Sequence, residues 1–172
     1  MSSIVRSLAL IGFATVATLA MAQDKQTATA DFVGKDGKED GRATLTAAAG
    51  GGVLMEVEVT GLPANKWVAF HVHETGKCDA ASHHESAGKH FNPTDAEHGL
   101  LAAKGPHAGD MPNQYVGPDG ILRAQVFDSM VTLDDKKTGI RGRALMIHAN
   151  SDDYRSQPAG DAGERLACGV IK

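Results

Sequence analysis

The stretch "VLMEVEV", Val53 to Val59, decides the fold. Val53, Met55, Val57 and Val59 fall on one side of an extended chain, with Glu56 and Glu58 on the other. A period of two with a single apolar side marks a strand packed on one face only. Upstream, "TATADFVG" (27–34), the polar connection "KDGKEDG" and "RATLTAAA" (42–49) repeat the pattern of short strand and turn. Downstream, "GLPANK" makes a turn and "WVAFHVH" (67–73) reads as a fourth strand. Strands resume at "QYVG", at "ILRAQVFD", at "RALMIHA" (143–149) and at "RLACGVI" (165–171). About eight short strands without helical periodicity predict an all-β fold, an antiparallel sandwich or barrel.

Two segments break the rhythm. Glu74 to about Pro112 has no sustained period, and residues 150–164 form a second irregular stretch. Structureless loops of that length inside one domain are usually functional. The chemistry-bearing residues gather there and on the adjoining strands. His71 and His73 share one side of a strand, with Val68, Phe70 and Val72 on the opposite, buried side. His90, His98 and His107 follow in the long loop at spacings of eight and nine, Asp110 follows His107 by three, and His148 lies on a later strand. Two imidazoles on a strand can be ordinary packed or surface histidines, but a loop carrying three more and an acid has little reason to order itself unless something binds it. Three histidines and an aspartate suit tetrahedral zinc, and imidazoles set on two strands suit a metal with tetragonal preference such as copper(II). His83 and His84 read as residues of a solvated loop.

The bulk properties narrow the context. The chain has 172 residues, enough for one domain with a proper core. Arg6, the apolar run Leu8–Leu19 and Ala20-Met21-Ala22 have the order of a secretory signal peptide, so residues 1–22 are expected to be removed and residues 23–172 to form the mature domain. The apolar run is short for a membrane span. The whole chain carries a formal charge of −4, and the leader removes only Arg6 among charged residues. With no basic tail or stripe, nucleic acid is not an expected partner. An even pair of cysteines, Cys78 and Cys168, behind an export signal favours one disulfide.

Taken in order, "FHVHETGKC", "AGKHFNP", "PHAGDMPN" and "IHANSDDYRSQPAGDAGERLACGVI" resemble the copper/zinc superoxide dismutases, in particular their exported bacterial branch, over about Asp24 to Lys172. The resemblance implies an eight-stranded Greek-key sandwich or barrel with two long functional loops. It implies copper on His71, His73, His90 and His148, and zinc on His90, His98, His107 and Asp110, with His90 shared. It makes Arg165 and His90 the catalytic pair, Arg165 guiding the anion and His90 able to take up a proton when copper is reduced. It pairs Cys78 with Cys168, tying the metal loop to the last strand, and makes Asp152 an acid that links ligands of the two metals. The implied reaction converts superoxide to dioxygen and hydrogen peroxide by alternating reduction and oxidation of copper, with a structural zinc. The implied setting is the periplasm, with superoxide as partner, no membrane, and a homodimer among the possible arrangements. Removing the Asp152 carboxylate is expected to weaken zinc retention. Lys89 and Glu164 depart from the family pattern, adding and subtracting positive potential near the site. A non-catalytic metal-binding relative and an envelope zinc hydrolase are the competing classes, separated by metal content and by superoxide decay.

Overall fold

The computed structural model describes residues 26–172, so the expected leader at 1–22 lies outside it. Nine strands, β1 (Thr27–Gly34), β2 (Glu39–Ala47), β3 (Val53–Val59), β4 (Lys66–Val68), β5 (Phe70–His73), β6 (Gln114–Val116), β7 (Leu122–Asp128), β8 (Ala144–His148) and β9 (Arg165–Ile171), form one antiparallel sheet. Their order is β4-β6-β7-β3-β2-β1-β9-β8-β5, with the Greek-key jumps β3 to β7 and β1 to β9. The two ends of that order, β4 and β5, are consecutive in the chain, so the sheet is a nearly closed barrel.

The ninth strand comes from the stretch expected as one strand at 67–73. It divides at Ala69, whose N–H donates to Asn150 O while its carbonyl accepts from His148 N–H. Before that residue the chain pairs with β6, after it with β8. Switching partners at a barrel corner needs a bend, and Ala69 sits at it fully buried.

Alternation places the core. β3 buries every second residue, as its pattern requires, and packs Val53, Met55, Val57 and Val59 against Phe32, Leu45, Phe70 and Ile147 inside the barrel. Each such large side chain withdrawn from water contributes about 1.5–3 kcal/mol before entropy is charged. β5 and β8 break the alternation, because every residue in both is buried. Val72 and Leu145 face the barrel core, whereas Ala144, Met146 and Cys168 pack with Ala87 and Cys78 in a smaller cluster outside it. These two strands are sandwiched between the core and the long loop. His71 and His73 therefore lie in the interior of the protein although they lie on the outer face of the barrel.

The long loop is fixed at several points. Its start carries two single-turn 3₁₀ helices, Ala80–Ser82 and Glu85–Ala87. The disulfide Cys78–Cys168 joins it to β9 with a Cα–Cα distance of 5.5 Å across a sequence separation of 90. The Arg143 guanidinium lies 3.7 Å over the Phe91 ring and donates to Glu74 O, which seats the segment holding His90. Among the described residues no helix is long and apolar enough to cross a membrane.

Candidate metal centre

Two four-residue clusters lie side by side on the β5–β8 face. His71, His73, His90 and His148 form one and His90, His98, His107 and Asp110 the other; within each, one ligand atom per residue lies within 4.8 Å of all the rest. His90 belongs to both. The structure thus brings together all seven residues that the sequence singles out as ligands, and all are buried.

Rigid strands supply one cluster: His71 and His73 project from β5 and His148 from β8. The loop contributes His90 by returning antiparallel to β5, with bridges His73↔His90 and His71↔Asp110. The second cluster is built almost wholly from the loop, so its geometry depends on what braces the loop.

Hydrogen bonds fix which ring atom each histidine presents. His71 Nε2 donates to Asp152 Oδ2 at 2.8 Å, and His73 Nδ1 donates to Gly88 O at 3.0 Å. His98 Nε2 donates to Asp152 Oδ1 at 3.1 Å. His73 Nε2 and His148 Nε2 face each other at 3.3 Å. The buried ring nitrogens left without a hydrogen-bond partner in the two clusters are His71 Nδ1, His90 Nε2, His98 Nδ1 and His107 Nδ1. Of these, His98 Nδ1 and His107 Nδ1 lie beside the Asp110 carboxylate, at 3.1 and 3.3 Å, and buried ring nitrogens converging in this way on two points are the arrangement metal ligation resolves. Histidines backed by carbonyls and carboxylates, with one aspartate in the second cluster, fit copper and zinc.

Charge is arranged to match. Burial, reinforced by neighbouring imidazoles, drives the pKa of His73 and His148 well below the usual imidazole range. Burial and His71 bring His90 down to about 4, against the opposing pull of Asp110. These rings are neutral and ready to ligate near pH 7. Burial alone would lower His98 too, but bonds to Asp110 and Asp152 raise it to about 9. Burial would raise Asp110, yet contacts with His107, His90, His98 and the Gly99 N–H outweigh it and keep the carboxylate ionised.

Asp152 joins the two clusters, one oxygen on His71 and the other on His98. It is held by the N–H of Tyr154 and, through its own backbone, by Asn113. Gly160, with φ +66, passes so close that a Cβ would overlap Asp152 Oδ1 and His98 Nε2. Gln157 clamps the His98 backbone from both sides, accepting from its N–H and donating to its carbonyl, each at 2.9 Å. Nothing in the sequence pattern distinguishes Gln157 from an ordinary loop residue.

An open cleft of about 630 Å³ leads from solvent to His73, His90 and His148, with Arg165, Glu85, Glu74 and Lys89 on its walls. Arg165 donates to His84 O and Gly88 O, both at 2.8 Å. Two expectations need correction. Glu164, expected to subtract positive potential near the site, pairs with Lys35 at 2.6 Å, and the carboxylate beside Arg165 is that of Glu85, at 3.4 Å. His84 is not solvated. Both it and His83 are left-handed, a sharp turn that leaves His83 exposed and buries the His84 side chain completely.

The chain matches the family model for copper/zinc superoxide dismutase over residues 39–171. It is 46% identical over 163 residues to "Superoxide dismutase [Cu-Zn] 1" of Aquifex aeolicus, covering 92% of this chain and 95% of that one. It is 40% identical over 153 residues to the corresponding protein of Caulobacter vibrioides, covering 84% and 85%. Among solved structures, Cu/Zn superoxide dismutase from Brucella abortus aligns with a TM-score of 0.70 and 28% identity over 85% of this chain and 99% of that one. Agreement of sequence, barrel and paired histidine clusters leads to one conclusion: the chain belongs to the copper/zinc superoxide dismutase family.

Proposed function

We propose that His71, His73, His90 and His148 hold copper, that His90, His98, His107 and Asp110 hold zinc, and that Arg165 draws superoxide to the copper side. The activity itself follows from the family: the chain is an oxidoreductase with copper and zinc as cofactors, dismuting two superoxide anions and two protons to dioxygen and hydrogen peroxide. The observation that carries the division of roles is the set of buried ring nitrogens, His71 Nδ1 and His90 Nε2 in the all-histidine cluster and His98 Nδ1 and His107 Nδ1 beside Asp110 in the other.

Bound copper supplies one-electron chemistry by alternating between two oxidation states, whereas zinc supplies fixed charge and geometry. The chain's own residues do the rest. His71 and His73 are set by β5 and locked by Asp152 and Gly88 O, so the copper side needs little reorganisation. His90 is anchored on the zinc side by Nδ1, 2.8 Å from Asp110, and faces the copper side with Nε2, the atom at which a proton can be held for the product. Asp110 keeps its charge beside that ring. The cleft admits a small anion, and the Arg165 guanidinium, fixed by two carbonyls, offers its remaining N–H groups.

The proposal extends to setting. Residues 1–22 are read as an export leader and the mature chain, 23–172, as periplasmic; the Cys78–Cys168 disulfide favours an oxidising compartment. Neither nucleic acid nor membrane is part of this reading. Homodimerisation is tested by sedimentation of the metal-loaded chain. Elemental analysis of the purified mature protein is expected to return one copper and one zinc per chain. A single metal, or zinc in both clusters that copper fails to displace, would overturn the division.

A further inference from the structure

We infer that Glu85 is a counterweight on Arg165: its carboxylate competes with the incoming anion for the guanidinium and so sets the rate and salt dependence of the reaction. The inference rests on the reading of Arg165 as the guiding cation.

The geometry is specific. Arg165 opens β9 and its side chain is 15% exposed, so it has little freedom. Nη1 donates to His84 O and Nη2 to Gly88 O. The same Gly88 carbonyl accepts from His73 Nδ1, which couples the guanidinium to a strand histidine of the metal centre. A guanidinium carries five N–H groups. Two are spent on these carbonyls, and the second N–H of Nη2 lies toward Glu85 Oε2, 3.4 Å away. What is left for an anion is Nε and one N–H of Nη1.

Glu85 differs from Arg165 in exposure. Its side chain is 71% exposed and it stands on the cleft wall at the start of the 3₁₀ turn Glu85–Ala87. A carboxylate at that distance, surrounded by water, neither buries the arginine nor locks it, because the two carbonyls already position it. Its remaining effect is electrostatic: it removes local positive potential where the protein, net negative as a whole, most needs it. It is also displaceable, since an exposed monodentate pair is weak. Lys89 on the same wall adds positive charge. Glu164, adjacent in sequence, is held away by Lys35. Glu74, Asp95 and Asp161 also line the cleft, and among the described residues Glu85 is the acid at ion-pair distance from Arg165.

The test compares the metal-loaded protein with Glu85→Gln, Arg165→Gln and the double variant. Two quantities are read: second-order superoxide decay by pulse radiolysis over a salt series, and the dissociation constant of azide by visible titration of the copper(II) protein. Metal content is checked for each variant. Glu85→Gln should raise the low-salt rate and tighten azide by about 2–5-fold, the range an exposed ion pair spans, and steepen the fall of rate with salt. In the Arg165→Gln background the same change should have less than half that effect. Rates and azide affinity unchanged by Glu85→Gln, while Arg165→Gln weakens both, would overturn the counterweight and leave the guide intact. A rate lowered by Glu85→Gln would overturn it too, making Glu85 a support for the arginine. Arg165→Gln with no effect on either quantity would instead defeat the reading of Arg165 on which the inference rests.

Discussion

Replacing Asp152 by Asn tests how the two metal clusters are coupled. The carboxylate offers two acceptor oxygens to two imidazole N–H groups, His71 Nε2 at 2.8 Å and His98 Nε2 at 3.1 Å, and one of them also accepts from Tyr154 N–H. An amide of the same shape has one acceptor oxygen and presents N–H groups on the other side. One histidine must then lose its partner or shift its proton to Nδ1, the nitrogen that faces the metal. His71 is fixed by β5, with Phe70 and Val72 packed on either side of it in sequence, whereas His98 lies in the loop. The loop residue yields first. Supporting partners of metal-bound histidines are worth about 10–100-fold in affinity, or about 1.4–2.7 kcal/mol. Asp152→Asn should therefore weaken zinc retention by that factor in competition with a chromophoric chelator, while copper content and the visible copper spectrum change little. Unchanged zinc affinity, or copper lost before zinc, would refute the argument that strand and loop differ in rigidity.

Other outcomes follow from the same structure. Replacing both Cys78 and Cys168 by Ser should lower stability by at most about 4–5 kcal/mol, the chain-entropy figure for a loop of this length, and should loosen Arg165, because the disulfide anchors the loop whose carbonyls hold it; denaturant melts and anion affinity check the two effects. Burial raises Asp128 from 3.8 to about 6, so the folded state binds its proton more tightly and stability falls as pH rises through that window. Asp128→Asn keeps the bond from Met130 N–H to Oδ1 and removes the buried charge; it should stabilise by about 1–3 kcal/mol at pH 7.5 and by clearly less at pH 4.5, and a gain independent of pH would count against it. Arg165→Glu should keep both metals but cut the superoxide decay rate and abolish or reverse its fall with salt; equal rates and slopes would remove Arg165 from the reaction.

Much of the site was legible because ligands must be particular residue types. Histidine on alternate positions of a strand has one geometric meaning, and His71 and His73 indeed lie on the side opposite Val72. The family motifs then ordered the loop histidines, and the structure brings all seven candidate ligands into two clusters. The barrel was legible from alternation, most clearly at β3. Its corner was not: nothing local separates "WVAFHVH" into two strands, since the break at Ala69 comes from barrel closure, a property of distant partners Gln114 and Ile147. The burial of both faces of β5 was equally hidden, because the loop that covers it has no period to read.

Charge pairing was the least legible layer. Sequence adjacency made Glu164 the natural neighbour of Arg165, but in an extended strand adjacent side chains point to opposite sides. Glu164 therefore reaches Lys35 in the connection after β1, and Arg165 turns into the cleft, where the loop delivers Glu85 from 80 residues earlier in the chain. The turn that delivers it also buries His84, whose carbonyl is one of the two that hold the guanidinium. The disulfide begins six residues before His84, and its other half is three residues after Arg165. Two short segments, residues 78–88 and 165–168, joined by the disulfide, thus contain the Arg165 guanidinium, the carbonyls that orient it and the carboxylate of Glu85. The charge an arriving anion meets beside Arg165 depends on this local pairing as well as on the protein's net charge, because the guanidinium shares its cleft wall with Glu85, Glu74 and Lys89.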